Sequence, residues 1–193
     1  MKNIKDIILE KLIINKNIKI KQQYNYHPKE KQQLIGNIIE ICKKDKNDVV
    51  DLNMIDTSEV TDMSFVFCNS WVLQELNDRP FDISEWDVNN VVDFHNCFDS
   101  YKNFNCDLSN WNVSKCYSFE SMFLNCKSFE GIGLDKWDMS SATDISRMFM
   151  DCENLDVNLS NWNLKNCKEY RYVFDGKCKL DKNKKPKIKG RTI

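Results

Sequence analysis

The sequence predicts an α/β fold, a short repeat solenoid with a parallel sheet of about five coils, capped by N-terminal helices. Three observations predict it. Trp86, Trp111, Trp137 and Trp162 recur at spacings of 25, 26 and 25 residues, and Phe98, Phe123, Phe149 and Phe174 each follow a tryptophan by 12. Ahead of each tryptophan, apolar and polar residues alternate with period two. A period of this length marks a stacked repeat architecture, in which each unit is too small to bury its own apolar face. Ile55 and Phe67 keep the 12-residue offset, so Ile55 stands in the tryptophan position of a first coil, and six extra residues separate that coil from the second.

The chain divides into an N-terminal helical cap (1–47), the five-coil repeat region (48–180) and a basic, flexible tail (181–193). Ile4, Ile7, Ile8, Leu9 and Leu12 lie at helical spacing, with Lys2, Lys5, Asp6, Glu10 and Lys11 on the other face, which predicts a first helix. Pro28 sits where a second helix begins, and Leu34, Ile35, Ile38, Ile39 and Cys42 form its apolar stripe. That helix is expected to cover the first coil, whose edge otherwise leaves apolar surface and unpaired strand groups in water.

Within each coil the strand is expected at Val50/Leu52, Phe81/Ile83, Cys106/Leu108, Ile132/Leu134 and Val157/Leu159. Identical strands at equivalent positions stack about 4.8 Å apart. The spacings of three and four within Met63, Val66 and Phe67, and their copies, suit a short helical return. The tryptophan and phenylalanine columns become interior ladders that supply much of the hydrophobic stabilisation. Asp62, Asp93, Ser118 and Asp144 read as caps of the helical returns.

The repeat unit itself, DTSEVTDMSFVF at residues 56–67 and LSNWNVSKCYSFESMFLNCKSF at 108–129, resembles that of the BspA-like leucine-rich-repeat family, W-D-V-S-N-V-T-D-M-S-x-M-F-x-x-C-x-x-F. The resemblance covers residues 48 to about 180, and the stretch from Tyr26 to Glu40 is similar to the helix that precedes the repeats in short members. It implies a leucine-rich-repeat-like solenoid used for adhesion or protein interaction.

Charge is distributed unevenly. Residues 48–175 carry 23 acidic and 9 basic side chains, a net of -14, while residues 1–47 carry +6 and 176–193 carry +7. An acidic body argues against a nucleic-acid reader and for a protein partner that is basic or itself binds nucleic acid. Contact of the basic tail with nucleic acid is a secondary reading. No apolar run reaches the length of a membrane span, and the Ile/Leu stretch after Asp6 is broken by Glu10 and Lys11, so neither an export signal nor an anchor is expected.

Candidate chemistry is sparse. The nine cysteines include no Cys-x-x-Cys pair, and most fall in columns that hold Val, Ala, Met or Phe elsewhere. They read as buried thiols in a reducing cytoplasm, without zinc or disulfides. His95 stands in a surface column and Cys97 is expected inward, which makes a Cys/His nucleophile pair improbable. The outward column Asp51, Asp82, Asp107, Gly133, Asn158 lines up three carboxylates about 4.8 Å apart, a row able to raise their pKa values or hold a cation, with a solvated Asp/Asn ladder as the expected outcome.

The expected function is therefore a cytoplasmic, non-catalytic interaction scaffold with no cofactor and no metal, of the kind a regulator or a small inhibitor from a virus or mobile element requires. An enzyme or cation-binding module using the acidic row is the alternative, and a bacterial surface adhesion module a further one. Trp71 is the only tryptophan outside the ladder. It lies in the insertion of the first coil, where Leu73 matches a core column, Trp71 and Leu76 are expected to flank it and Arg79 to project, which together make a binding surface beside the row of Asp51, Asp82, Asp107 and Asn158.

Overall fold

The computed structural model describes residues 24–188 and 191–193, so the helix expected at residues 4–14 lies outside the described residues. Helix α1 (Lys31–Lys44) forms where the apolar stripe predicts it and buries Leu34, Ile38, Ile41 and Cys42. Before it, Tyr26 pairs in parallel with Ile55, which ties the entering chain to the first repeat. A second helix, α2 (Ser70–Leu76), is built by the insertion. The Asn69 side chain accepts from the Trp71 N–H at its start, and Asn77 in the left-handed conformation ends it.

The repeats stack, but not as the sequence suggests. The five-coil parallel-sheet solenoid is not formed: among the described residues the parallel sheet has two strands of two residues each, β1 (Val50–Asp51) and β2 (Phe81–Asp82). The equivalent positions in the later repeats are not strands, and Leu134 instead opens a 3-10 turn after Gly133, whose φ is 91°. Gly133 also lies against the Ser109 backbone, where a Cβ would be only 2.3 Å from the Ser109 nitrogen. Ile132, expected inward, is 44% exposed.

Each repeat is a chain of tight turns. The second closes Trp86 N–H to Ile83 O, Val91 to Val88 and Cys97 to Phe94; the third closes Trp111 to Leu108, Cys116 to Val113 and Met122 to Phe119. The helical returns expected after the phenylalanine-preceding columns are likewise absent. Phe65, Asn96, Ser121, Arg147 and Tyr172 occupy one column with φ between 50° and 60°, which interrupts any helix there.

Three interactions hold neighbouring repeats in register. Parallel single-residue bridges run Asp62, Asp93, Ser118, Asp144, Glu169. Alternate N–H groups of one repeat reach carbonyls of the next, as in Phe94 to Ser118, Asn96 to Glu120 and Phe98 to Met122, at 2.9–3.0 Å. Phe67, Phe98, Phe123, Phe149 and Phe174 form one continuous stack, with centroids 5.1, 5.5, 5.7 and 5.6 Å apart.

The tryptophans add a bond that spacing alone does not reveal. Each indole N–H donates backwards to a carbonyl of the preceding repeat: Trp86 to Leu52 at 3.0 Å, Trp111 to Ile83 at 3.2 Å, Trp137 to Leu108 at 3.3 Å and Trp162 to Leu134 at 2.8 Å. The same carbonyls close the turn of their own repeat by accepting from Ile55, Trp86, Trp111 and Trp137 N–H. Both lone pairs are used, and the buried indole donor is satisfied.

The C-terminal stretch, expected as a solvated tail, is folded. A 3-10 turn (Lys182–Lys184) and a hairpin of β3 (Lys187–Ile188) with β4 (Arg191–Thr192) follow the last repeat. Pro186 and Ile188 are buried, and the Lys185 ammonium lies 4.8 Å over the Phe174 ring.

Trp137→Phe keeps a ring in the column but removes the donor to Leu108, and is expected to cost about 1–2 kcal/mol in denaturant melts. Trp137→Ala also leaves a cavity and is expected to cost about 3–5 kcal/mol. A Trp137→Phe loss under about 0.3 kcal/mol would show that the indole bond does not stabilise the stack.

Candidate functional site

The surface expected around the insertion is only partly present. Trp71 is 67% exposed on the solvent side of α2. Leu76, expected to flank Leu73 together with Trp71, is fully buried, because the seventh residue of the short helix turns into the core beside Val72. Arg79, expected to project, folds back. Its guanidinium donates to the carbonyls of Cys42 at 3.1 Å, Asp45 at 3.0 Å, Asn47 at 3.3 Å and Glu75 at 3.3 Å, and its Nε donates to Leu76 at 3.2 Å. A cation thus closes the C-terminal ends of α1 and α2 together, where unsatisfied carbonyls and the helix dipoles favour positive charge. The Arg79 carbonyl in turn accepts from the Tyr101 hydroxyl at 2.5 Å.

The acidic row is also a structural device. Oδ1 of Asp51, Asp82, Asp107 and Asn158 accepts the N–H two residues on, from Asn53, Ser84, Ser109 and Ser160, at 2.8–3.0 Å. A second column repeats the pattern at Asp56, Asp87, Asn112, Asp138 and Asn163, and a third at Asp62, Asp93 and Asp144. Asx turns of this kind bend the backbone just past the column in repeats with and without a strand, Asp51 and Asp82 lying in β1 and β2 themselves.

In two of the carboxylates, Asp82 and Asp107, the pKa moves opposite to the rise expected of the row. Burial tends to raise Asp82, but hydrogen bonds from the Ser84 N–H and side chain outweigh it and hold the group below the usual range. Asp107 is lowered by the same donors on Ser109. Among the described residues no group of three His, Cys, Asp or Glu side chains is arranged to hold a metal ion.

All nine cysteines are free, and seven of them are buried. Desolvation pushes the thiols of Cys42, Cys68 and Cys167 up to about 11 and that of Cys106 up to about 12, and raises Cys97 and Cys126 well above the ordinary value. Cys126 and Cys152 donate to the carbonyls of Phe98 and Phe123 in the preceding repeats, at 3.0 and 2.9 Å. They extend the interior columns.

A surface the sequence reading did not single out crosses all five repeats along the left-handed column and its neighbour. Phe65 packs its ring 4.9 Å from that of His95, whose Nε2 is 3.8 Å from Glu120. Glu120 lies 3.7 Å from the Arg147 guanidinium, which sits 5.8 Å over the Tyr172 ring. Phe65 and Tyr172 are 46% and 54% exposed. At the N-terminal end Lys31 fixes the strip to α1, donating to both Asp62 and Ser64 at 2.7 Å. The available sequence signal was a column mixing Asn96 and Ser121 with bulky residues that no inward period requires.

A family model described as "Mycoplasma protein of unknown function, DUF285" matches residues 36–132 and again residues 70–186. The chain belongs to that family. Two overlapping, displaced matches of one model are what an internally repeated sequence produces. No curated protein and no solved structure shows a match to the chain. Among the described residues no helix is long and apolar enough to cross a membrane.

Arg79→Ala is expected to destabilise the protein by about 2–4 kcal/mol in thermal or denaturant unfolding, since it strips five carbonyls of a charged donor. Arg79→Lys is expected to recover only part of this, because an ammonium does not reproduce the planar fork. Unchanged stability in Arg79→Ala would return this residue to the solvent-facing role.

Proposed function

We propose that the protein is a non-catalytic interaction module that binds another protein through the strip from Phe65 to Tyr172. One observation carries this reading. A left-handed backbone is costly for bulky residues, by about 1 kcal/mol each, and cheap for Asn. The column uses Asn96 and Ser121 in the second and third repeats, yet Phe65, Arg147 and Tyr172 hold φ of 60°, 55° and 60° with their side chains in solvent. Among the described residues the ring and ion-pair contacts of these side chains are to other members of the strip, they stay about half exposed, and strain retained at exposed aromatic and arginine residues marks a binding surface.

Three further features support it. The net charge of -14 on residues 48–175 favours a basic partner. The resemblance of the repeats to the BspA-like family points to interaction rather than chemistry, and the raised thiol pKa values leave no activated cysteine nucleophile among those described. Nine unpaired cysteines suit a reducing compartment such as the cytoplasm. A regulator or inhibitor of a basic protein needs no more than this surface.

The double substitution Phe65→Asn with Tyr172→Asn removes both rings and relaxes the backbone at both sites. Stability is expected to stay the same or rise by up to about 1 kcal/mol. Retention of a partner from a lysate of the source cells on the immobilised variant is expected to fall at least tenfold, about 1.4 kcal/mol, relative to the unmodified protein. Equal retention, or a loss of stability above about 1 kcal/mol, would contradict the assignment.

A further inference from the structure

The stack ends in an open edge. In each inner repeat, N–H groups at alternate positions are given to carbonyls of the following repeat; in the fourth these are Ile145, Arg147, Phe149 and Asp151, bonded to Glu169, Arg171, Val173 and Asp175 at 2.8–3.1 Å. The equivalent donors of the fifth repeat are Tyr170, Tyr172, Phe174 and Gly176. They meet no backbone acceptor among the described residues. The C-terminal hairpin does not close against them. A cleft of about 670 Å³ separates the two, lined by Tyr170, Tyr172, Phe174 and Asp175 on the repeat side and by Lys185 and Ile188 on the other. That volume falls in the range of sites that enclose a ligand.

We propose that this cleft takes an extended acidic peptide of a partner protein, which adds to the fifth repeat as a sixth repeat would. Its carbonyls, at alternate residues, accept from Tyr170, Tyr172 and Phe174; such a row of unpaired donors is the template for strand addition. The acidic character follows from the charge on the other wall. Lys185 lies over Phe174, where the next ring of the stack would stand, and is the cation among the residues that line the cleft, with Asp175 on the repeat side. A carboxylate at that register meets an ammonium already held in place. A second copy stacked head to tail is disfavoured, because the matching end of the first repeat is tied to α1 through Lys31. This site shares Tyr172 with the strip but uses its backbone N–H rather than its ring, and Phe65, at the other end of the strip, lies outside it.

The test is amide hydrogen exchange followed by NMR on the full chain, with a blocked synthetic hexapeptide of alternating glutamate and valine. In the free protein the Tyr170, Tyr172 and Phe174 amides are expected to exchange quickly, and saturating peptide is expected to slow them at least tenfold. Lys185→Glu is expected to weaken peptide binding at least tenfold, and Lys185→Gln, should the reversal perturb folding, by a smaller factor in the same direction. Phe65→Asn, which alters the strip, is expected to leave peptide binding unchanged. Slow exchange of these amides in the free protein, protection elsewhere, or equal binding by the Lys185 variants or by a lysine–valine peptide would overturn the proposal. Protection that grows with protein concentration alone would assign the edge to a second copy instead.

Discussion

The bond from a tryptophan indole to a carbonyl of the preceding repeat is the interaction on which the stack depends. A repeat of about 25 residues with no helix and hardly any strand has few regular hydrogen bonds with which to fix its neighbour. The indole supplies one at the same place each time, from a side chain that also fills the core. Its acceptor is the carbonyl that closes the first turn of the repeat before it, so turn geometry and stacking distance are set by one atom. In the first repeat, which has no preceding repeat to offer that carbonyl, the position holds Ile55.

Around that bond the polar residues carry much of the architecture. Asp and Asn in three columns bend the backbone by accepting the N–H two residues on, and the acidity of the body is in large part a by-product of how the turns are made. Asn replaces Asp at positions 112, 158 and 163 without loss of the acceptor, as expected if geometry rather than charge is required. The same economy applies to Arg79, which gathers the ends of two helices that short capping side chains do not reach.

Much of this was legible as columns and little of it as secondary structure. The tryptophan and phenylalanine positions, the buried cysteines and α1 follow from period and composition, because burial leaves a direct mark on residue type. Alternation with period two ahead of each tryptophan reads as a strand, and burial does alternate over residues 50–52, 81–83 and 106–108, but only the first two of these stretches pair as strands. The three-and-four spacing after Met63 reads as helix, but a left-handed residue at Phe65 and its copies prevents it; Phe, Arg and Tyr give no sequence signal for that conformation. Of the expected binding surface, Trp71 remains exposed, whereas Leu76 and Arg79 turn inward because the insertion folds as a helix against α1 rather than bulging as a loop. The strip from Phe65 to Tyr172 becomes visible only when neighbouring repeats are laid beside one another.

The most direct measurement is indole hydrogen exchange, resolved by NMR for each of the five tryptophans. The account predicts that the Trp86, Trp111, Trp137 and Trp162 indole protons exchange only through opening of the stack, at least about a thousandfold slower than a free indole, given a stability of several kcal/mol. The Trp71 indole exchanges at the solvent-limited rate. A second indole exchanging freely would show that the bond to the preceding repeat is not made at that position, and uniform fast exchange would contradict the stacked arrangement altogether.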